Sequence, residues 1–189
     1  MEKDKEKVTL VVSVYPACGK TYSYKNFKKM LPCTNKVDEL VILDSDSSKF
    51  GWIYKNGIKT NQRNPNFIQD YINHIKENVG KADIIFVSSH KEVRQALRNN
   101  NIKYFIVYPM LDMKDVIIER MVKRGNDEKF IELQKRQFEE SVNEINNEYD
   151  GKNGFPFALT KDRPYLPLGE IVLMLDTSIN GALSVKWWN

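Results

Sequence analysis

The chain has 189 residues, 41% of them hydrophobic and 11% aromatic, which suits a folded chain with a real core and excludes a disordered one. A net charge of +4 and a pI near 8.9 fit anionic ligands, while the lack of concentrated basic runs argues against a nucleic-acid partner. Two cysteines, Cys18 and Cys33, are too few for a disulfide scaffold.

The start, Met1 to Lys7, is a charged run with no apolar signal core, and it reads as a solvated lead-in. No later apolar run approaches the ~20 residues of a membrane span, so a cytoplasmic protein without membrane contact is expected. The β-prone run that follows predicts a strand over 8–14. A helix is expected over 20–30, limited by Pro32. Between them lies Tyr15-Pro16-Ala17-Cys18-Gly19-Lys20-Thr21.

That strand–loop–helix order resembles the phosphate-binding P-loop, G-x-x-x-x-G-K-[ST]. Gly19 lets the backbone approach a phosphate without a Cβ in the way. Amides at the helix start then point at the anion. Lys20 is expected to reach the β- and γ-phosphates of ATP, and the Thr21 hydroxyl to ligate Mg²⁺. Pro16, Ala17, Cys18, Gly19, Lys20 and Thr21 together form the expected cofactor-binding stretch. The motif's first glycine should fall at position 14, where Val14 stands. A β-branched residue resists positive φ, so Val14 is expected to be still extended as the loop opens.

Leu40 to Leu43 reads as the second strand, ending in Asp44-Ser45-Asp46-Ser47-Ser48. Two carboxylates at that strand end can serve Mg²⁺ through Asp44 and a substrate group through Asp46. The same residues also suit a polar turn that caps the next helix. A polar segment to about 63 follows, with Gly51 and Gly57 as turn residues. Phe50, Trp52 and Tyr54 within it suit either the core or a base-stacking surface. Arg63 closes the segment as a substrate-phosphate ligand or as a surface arginine. Asn64-Pro65 opens a helix whose Phe67, Ile68, Tyr71, Ile72 and Ile75 share one face, ending near Gly80.

Ala82 to Val87 predicts strand three, left through Ser88-Ser89-His90. A helix over about 90–100 places His90 and Arg94 one turn apart, as candidate substrate ligands. Asp83 is a carboxylate at the wrong end of that strand for Mg²⁺. Tyr104 to Tyr108 reads as strand four. Asp112 is expected to cap a helix carrying Val116, Ile117, Met121 and Val122, which Gly125-Asn126 interrupts. A long helix is expected over about 127–148. Arg120 and Arg124 share a face before that glycine, in the pattern of a lid that closes over a transferring phosphoryl group. A solvated helix face gives the same spacing. Residues 150–169, rich in Gly and Pro, are expected to be irregular, and Ile171 to Leu175 to form strand five. The tail with Trp187 and Trp188 has no assignment.

Alternation of strands and helices implies a parallel sheet with right-handed crossovers and ligands beyond the strand C-termini. The expected fold is thus α/β, a P-loop NTPase-type three-layer arrangement. It has a five-stranded parallel sheet and a helical lid at about 120–150, within one domain over 1–189.

The loop with Lys20-Thr21, Asp44 to Ser48, Val87 to His90 and Ile118 to Gly125 are similar to segments of P-loop kinases of the nucleoside monophosphate kinase group. That group includes virus-encoded deoxynucleoside monophosphate kinases, and the last segment also resembles the lid side of guanylate kinases. The resemblance implies transfer of the ATP γ-phosphoryl group to a (deoxy)nucleoside monophosphate. Lys20, Arg120 and Arg124 would be catalytic. Thr21 and Asp44 would serve Mg²⁺, and Asp46, Arg63, His90 and Arg94 the acceptor. Val14 and the missing acid after strand three depart from the group's pattern. A kinase of a hydroxyl acceptor, with Asp46 as general base, and a non-catalytic nucleotide-binding protein are the alternatives. A homodimer is left open.

Overall fold

The computed structural model describes residues 8–30, 39–148 and 152–173. Its main sheet is built around β1 (Leu10–Val14), whose five residues are all buried. A strand with no polar alternation has both faces covered, and helices supply that cover. The order is β2 (Ile42–Asp44), β5 (Ile84–Ser88), β1, β6 (Tyr104–Pro109), β7 (Gly154–Leu159), all parallel. Phe86 and Phe105 flank Val12 in register on either side. This is an α/β fold with the expected five-stranded parallel sheet.

The crossovers are α1 (Lys20–Met30), α2 (Phe67–Asn78), α3 (Lys91–Asn99), α4 (Lys114–Lys123) and α5 (Glu128–Asn147). Tyr71, Ile72 and Ile75 of α2 are buried, at the spacing their sequence pattern predicts. Asp127 caps α5 by accepting from the Phe130 N–H at 3.2 Å. Asp112 does not cap α4. It lies inside a 3-10 turn, Leu111–Met113, and its carboxylate meets Lys161 at 3.6 Å.

Two stretches of the polar middle and the C-terminal part differ from expectation. Residues 52–63 are a separate antiparallel ribbon, β3 (Trp52–Lys55) and β4 (Ile58–Arg63). Its turn is Asn56-Gly57, with φ of 51° and 77°, the left-handed pair that a two-residue hairpin requires. The fifth strand of the main sheet is Gly154–Leu159, not 171–175. Pro156 is tolerated because β7 is an edge strand. Gly154 relieves a tight contact, since a Cβ there would lie 3.0 Å from the Tyr104 hydroxyl.

Residues 168–173 are instead helical, here α6, with the Ile171 N–H bonded to Pro167 O at 3.1 Å. Leu168, Ile171 and Val172 are its buried face. A short apolar run does not by itself distinguish a buried strand from a buried helix. Met174, Leu175, the lead-in over 1–7, Pro32, Cys33 and the tryptophan tail lie outside the described residues.

Candidate functional site

The phosphate loop leaves the sheet where β1 ends. Val14 is still extended, paired with Ser88 and Val107, and the Tyr15 N–H donates to Val107 O at 2.8 Å. The chain then turns: the Cys18 N–H donates to Tyr15 O at 3.2 Å, with Pro16 and Ala17 between. Ala17 carries φ +61° and Gly19 φ +103°. A glycine at 14 is therefore not needed, because the left-handed residues fall three and five positions later. Leu166 packs against Gly19, and its N–H donates to Cys18 O at 3.1 Å.

The first hydrogen bond of α1 runs from the Ser23 N–H to Gly19 O at 2.9 Å. The amides of Lys20, Thr21 and Tyr22 precede it, so they have no acceptor within the helix. Three amides at the positive end of a helix dipole make an anion cradle. Lys20 and Thr21 stand at its mouth, half-buried. Cys18 is a correction to the expected binding stretch. Its side chain is fully buried and its N–H is bonded to Tyr15, so it shapes the loop without facing a ligand. Burial pushes the thiol up to about 12, against the pull of Arg120, and keeps it neutral.

Beyond β2 the acidic turn divides its roles. Asp44 is ion-paired with the Lys20 ammonium. Asp46 accepts from the Ser48 N–H at 2.9 Å, which is the turn-capping geometry, yet it also lines the cleft. Ser45 between them is buried. Its carbonyl accepts from the Tyr71 hydroxyl at 2.6 Å, and the same hydroxyl accepts from the Ser88 N–H at 3.1 Å. Ser45 Oγ also lies 3.1 Å from His74 Nε2. One tyrosine thus ties the ends of β2 and β5 together.

Among the described residues no group of three or more His, Cys, Asp or Glu could hold a metal by itself. The oxygens of Thr21 and Asp44 are hard donors that suit Mg²⁺, which binds through few protein ligands and completes its shell with substrate phosphates.

These elements enclose a cleft of about 1290 Å³. That exceeds the roughly 300–1,000 Å³ of a typical single-ligand pocket and leaves room for two ligands. Lys20, Thr21 and Tyr22 line one side. Asp46, Ser47, Ser48, Ser88 and His90 line another, and Arg120, Lys123, Arg124, Asn126 and Phe130 overhang it from the α4–α5 corner. Gly125, at φ +69°, makes that corner. Burial of Phe138, Val142 and Ile145 holds the second half of α5 in the core, so only the corner itself overhangs.

Arg120 is half-buried and directed at the loop. Its Nη1 donates to Pro164 O at 2.7 Å and lies 3.5 Å from Ala17 O. Its guanidinium lies 4.3 Å over the ring of Tyr165, which also lines the cleft. Arg124 is exposed at the end of α4 and faces the same space. Tyr165 is a residue that the sequence pattern missed. It follows β7, and a strand hidden by Gly154 and Pro156 hides the residues beyond its C-terminus.

The other expected acceptor ligands separate. His90 lines the cleft at its edge. Its imidazole presents surface, yet crowding by surrounding atoms desolvates it and lowers its pKa; Glu92 opposes this, while Arg94 and Arg63 add to it. Arg63 does not line the cleft. It stacks 4.0 Å over Trp52, which also carries Lys59 at 4.2 Å. Arg94 is corrected outright. It is only 3% exposed and turned into the core, where Glu144, Glu148 and the Ser89 carbonyl take its donors. A guanidinium so paired cannot also serve as a phosphate ligand. Phe50 packs at 5.2 Å from Tyr71 and 4.9 Å from His74, as core and not as a stacking surface.

No family model and no curated protein matches the sequence. Among solved structures the chain is similar to a gluconokinase from Sinorhizobium meliloti 1021, at 13% identity over 94% of each chain with a TM-score of 0.44. A likeness of that strength carries no weight on activity. Among the described residues no helix is long and apolar enough to cross a membrane.

Proposed function

We propose that the protein is a phosphotransferase that moves the γ-phosphoryl group of ATP to a (deoxy)nucleoside monophosphate. One observation carries the reading. The amide cradle and Lys20 at the start of α1, and Arg120 and Arg124 at the end of α4, converge on one cleft that has room for donor and acceptor. Phosphoryl transfer asks a protein mainly for positioning and for charge around the transferring group, and that is what these groups supply.

In this reading the loop amides and Lys20 hold the donor β- and γ-phosphates. Lys20 exchanges Asp44 for phosphate oxygens as it does so. Thr21 and Asp44 would hold Mg²⁺, which would supply charge neutralisation for the donor phosphates. Arg120 and Arg124 neutralise charge on the group in flight. Tyr165 offers its ring beside Arg120 for the donor base. Asp46, Ser48, Ser88 and His90 face the acceptor, and Arg63 supports them with positive charge from behind. An acceptor phosphate is already anionic, so no base is needed.

The withdrawal of Arg94 favours a second reading. Without that arginine, the acceptor side holds Asp46, three serines and a neutral histidine. Such a set also suits a hydroxyl acceptor, with Asp46 taking the proton. Initial rates of ATP consumption against the (deoxy)nucleoside monophosphates and against small polyhydroxyl compounds decide between them. Turnover that rises only with monophosphates supports the first reading. Turnover that rises only with hydroxyl compounds, and falls ~10²–10⁴-fold in Asp46→Asn, establishes the second.

A further inference from the structure

Arg94 sits on α3 and faces α5. Nε donates to Glu148 Oε2 at 2.7 Å, and Nη2 donates to Glu148 Oε1 at 2.8 Å and to Glu144 Oε2 at 3.1 Å. Glu148 also accepts from Arg98 Nη1 at 2.9 Å, and Glu144 is ion-paired with Lys91. An ion-pair set that merely joined two helices would be complete with these contacts. One donor is used differently: Nη1 bonds the carbonyl of Ser89, which is on neither helix.

Ser89 is buried between Ser88 and His90, and both of these face the cleft. The Ser88 amide is in turn held by Tyr71, whose hydroxyl holds Ser45, the residue before Asp46. The acceptor wall is therefore fixed at its back by one buried guanidinium. That guanidinium is anchored to the C-terminal end of α5, a helix of 20 residues and about 30 Å. The N-terminal end of the same helix adjoins the corner whose Lys123 and Arg124 form the opposite wall.

We propose that Arg94 is a positioning residue: it ties the Ser88–His90 wall to Glu144 of α5 and to its C-cap Glu148 and so sets where the acceptor lies relative to the donor phosphates. The proposal rests on the phosphotransferase reading for its consequence in turnover, but not for its geometry. A misplacement on the order of 1 Å at a reacting centre costs about 10²-fold in rate, so a loose wall is enough to matter.

The test is Arg94→Lys, which keeps a cation that can meet one carboxylate but lacks the planar fork needed to hold Ser89 and Glu148 together. Amide hydrogen exchange is read residue by residue, beside steady-state kinetics with ATP and acceptor varied in turn. The expected result is exchange at Ser89 and His90 faster by about tenfold or more, with the amides of 17–22 unchanged. The acceptor KM should rise about tenfold, with the ATP KM within about twofold.

Unchanged exchange at Ser89 and His90 in a folded variant overturns the proposal. So does faster exchange with an unmoved acceptor KM. A variant that fails to fold is replaced by Glu144→Gln, which loses one contact of the set and must show the same pattern in smaller degree. Should the wild-type protein transfer phosphate to no monophosphate, exchange alone decides the positioning claim, and the failure belongs to the acceptor reading.

Discussion

Arg120 and Arg94 carry the same charge, and both lie beside loops at strand ends, yet they have opposite fates. Among the described residues Arg120 meets carbonyl oxygens and a tyrosine ring, so its charge is presented to the cleft. Arg94 meets two carboxylates and is almost wholly buried, so its charge is neutralised within the fold. An arginine's chemistry is decided by what faces it. Carbonyl partners aim a guanidinium and leave it cationic, whereas carboxylate partners turn it into a strut.

Substitution should separate the two by kind of effect. Arg120→Ala is expected to lower kcat by about 10³-fold or more, the loss typical of an arginine that stabilises a transferring phosphoryl group. Its melting temperature should stay close to wild type. Arg94→Ala should act mainly on stability, removing about 1–3 kcal/mol because Glu148 keeps Arg98 and Glu144 keeps Lys91, and should touch turnover only through the acceptor KM. Urea unfolding measures the second effect and steady-state kinetics the first. An Arg94→Ala as stable as wild type would erase the contrast.

Acid sharpens the contrast further. Burial alone would raise the pKa of Glu148, but hydrogen bonds from Arg94 and Arg98 outweigh it and hold the carboxyl below its usual value. A depressed folded pKa contributes stability above the unfolded value of about 4.5 and loses it as pH falls through the folded value. Stability measured from pH 6 downward should therefore fall less steeply in Glu148→Gln than in wild type. Parallel slopes would show that the pair contributes nothing in acid.

The smallest expected effect on ligand binding lies on the donor side. Val14→Gly should leave ATP affinity unchanged while costing about 2–4 kcal/mol of stability, because Val14 is an extended, buried strand residue and not part of the turn. Calorimetric titration and thermal melting check the two halves of that statement.

The donor side was legible because it is built from contiguous residues. Strand, turn, glycine and lysine follow one another from Val8 to Thr21, and the amides that form the cradle need no distant partner. The acceptor side depends on residues far apart. Arg94 and Glu148 are 54 positions apart, and nothing in their spacing says that α5 brings the carboxylates to α3. The Asn56-Gly57 hairpin was readable in principle, since that dipeptide is a strong two-residue hairpin signal and follows the β-prone Trp52-Ile53-Tyr54. β7 was not. Its glycine leaves room for the side chain of Tyr104, 50 residues away in sequence and adjacent only in the sheet. With β7 hidden, Tyr165 was hidden too.

The central claim is that a phosphoryl group leaves ATP at the Lys20 loop and arrives on an acceptor held in the same cleft. Following the label from γ-labelled ATP, with a mixture of deoxynucleoside monophosphates as acceptors, tests it directly in the wild-type protein and in Lys20→Ala side by side. The account predicts label in a nucleoside diphosphate, formed about 10²–10³-fold more slowly by the variant. Label that stays in ATP, or that appears as inorganic phosphate at a rate indifferent to acceptor and to Lys20, would contradict it.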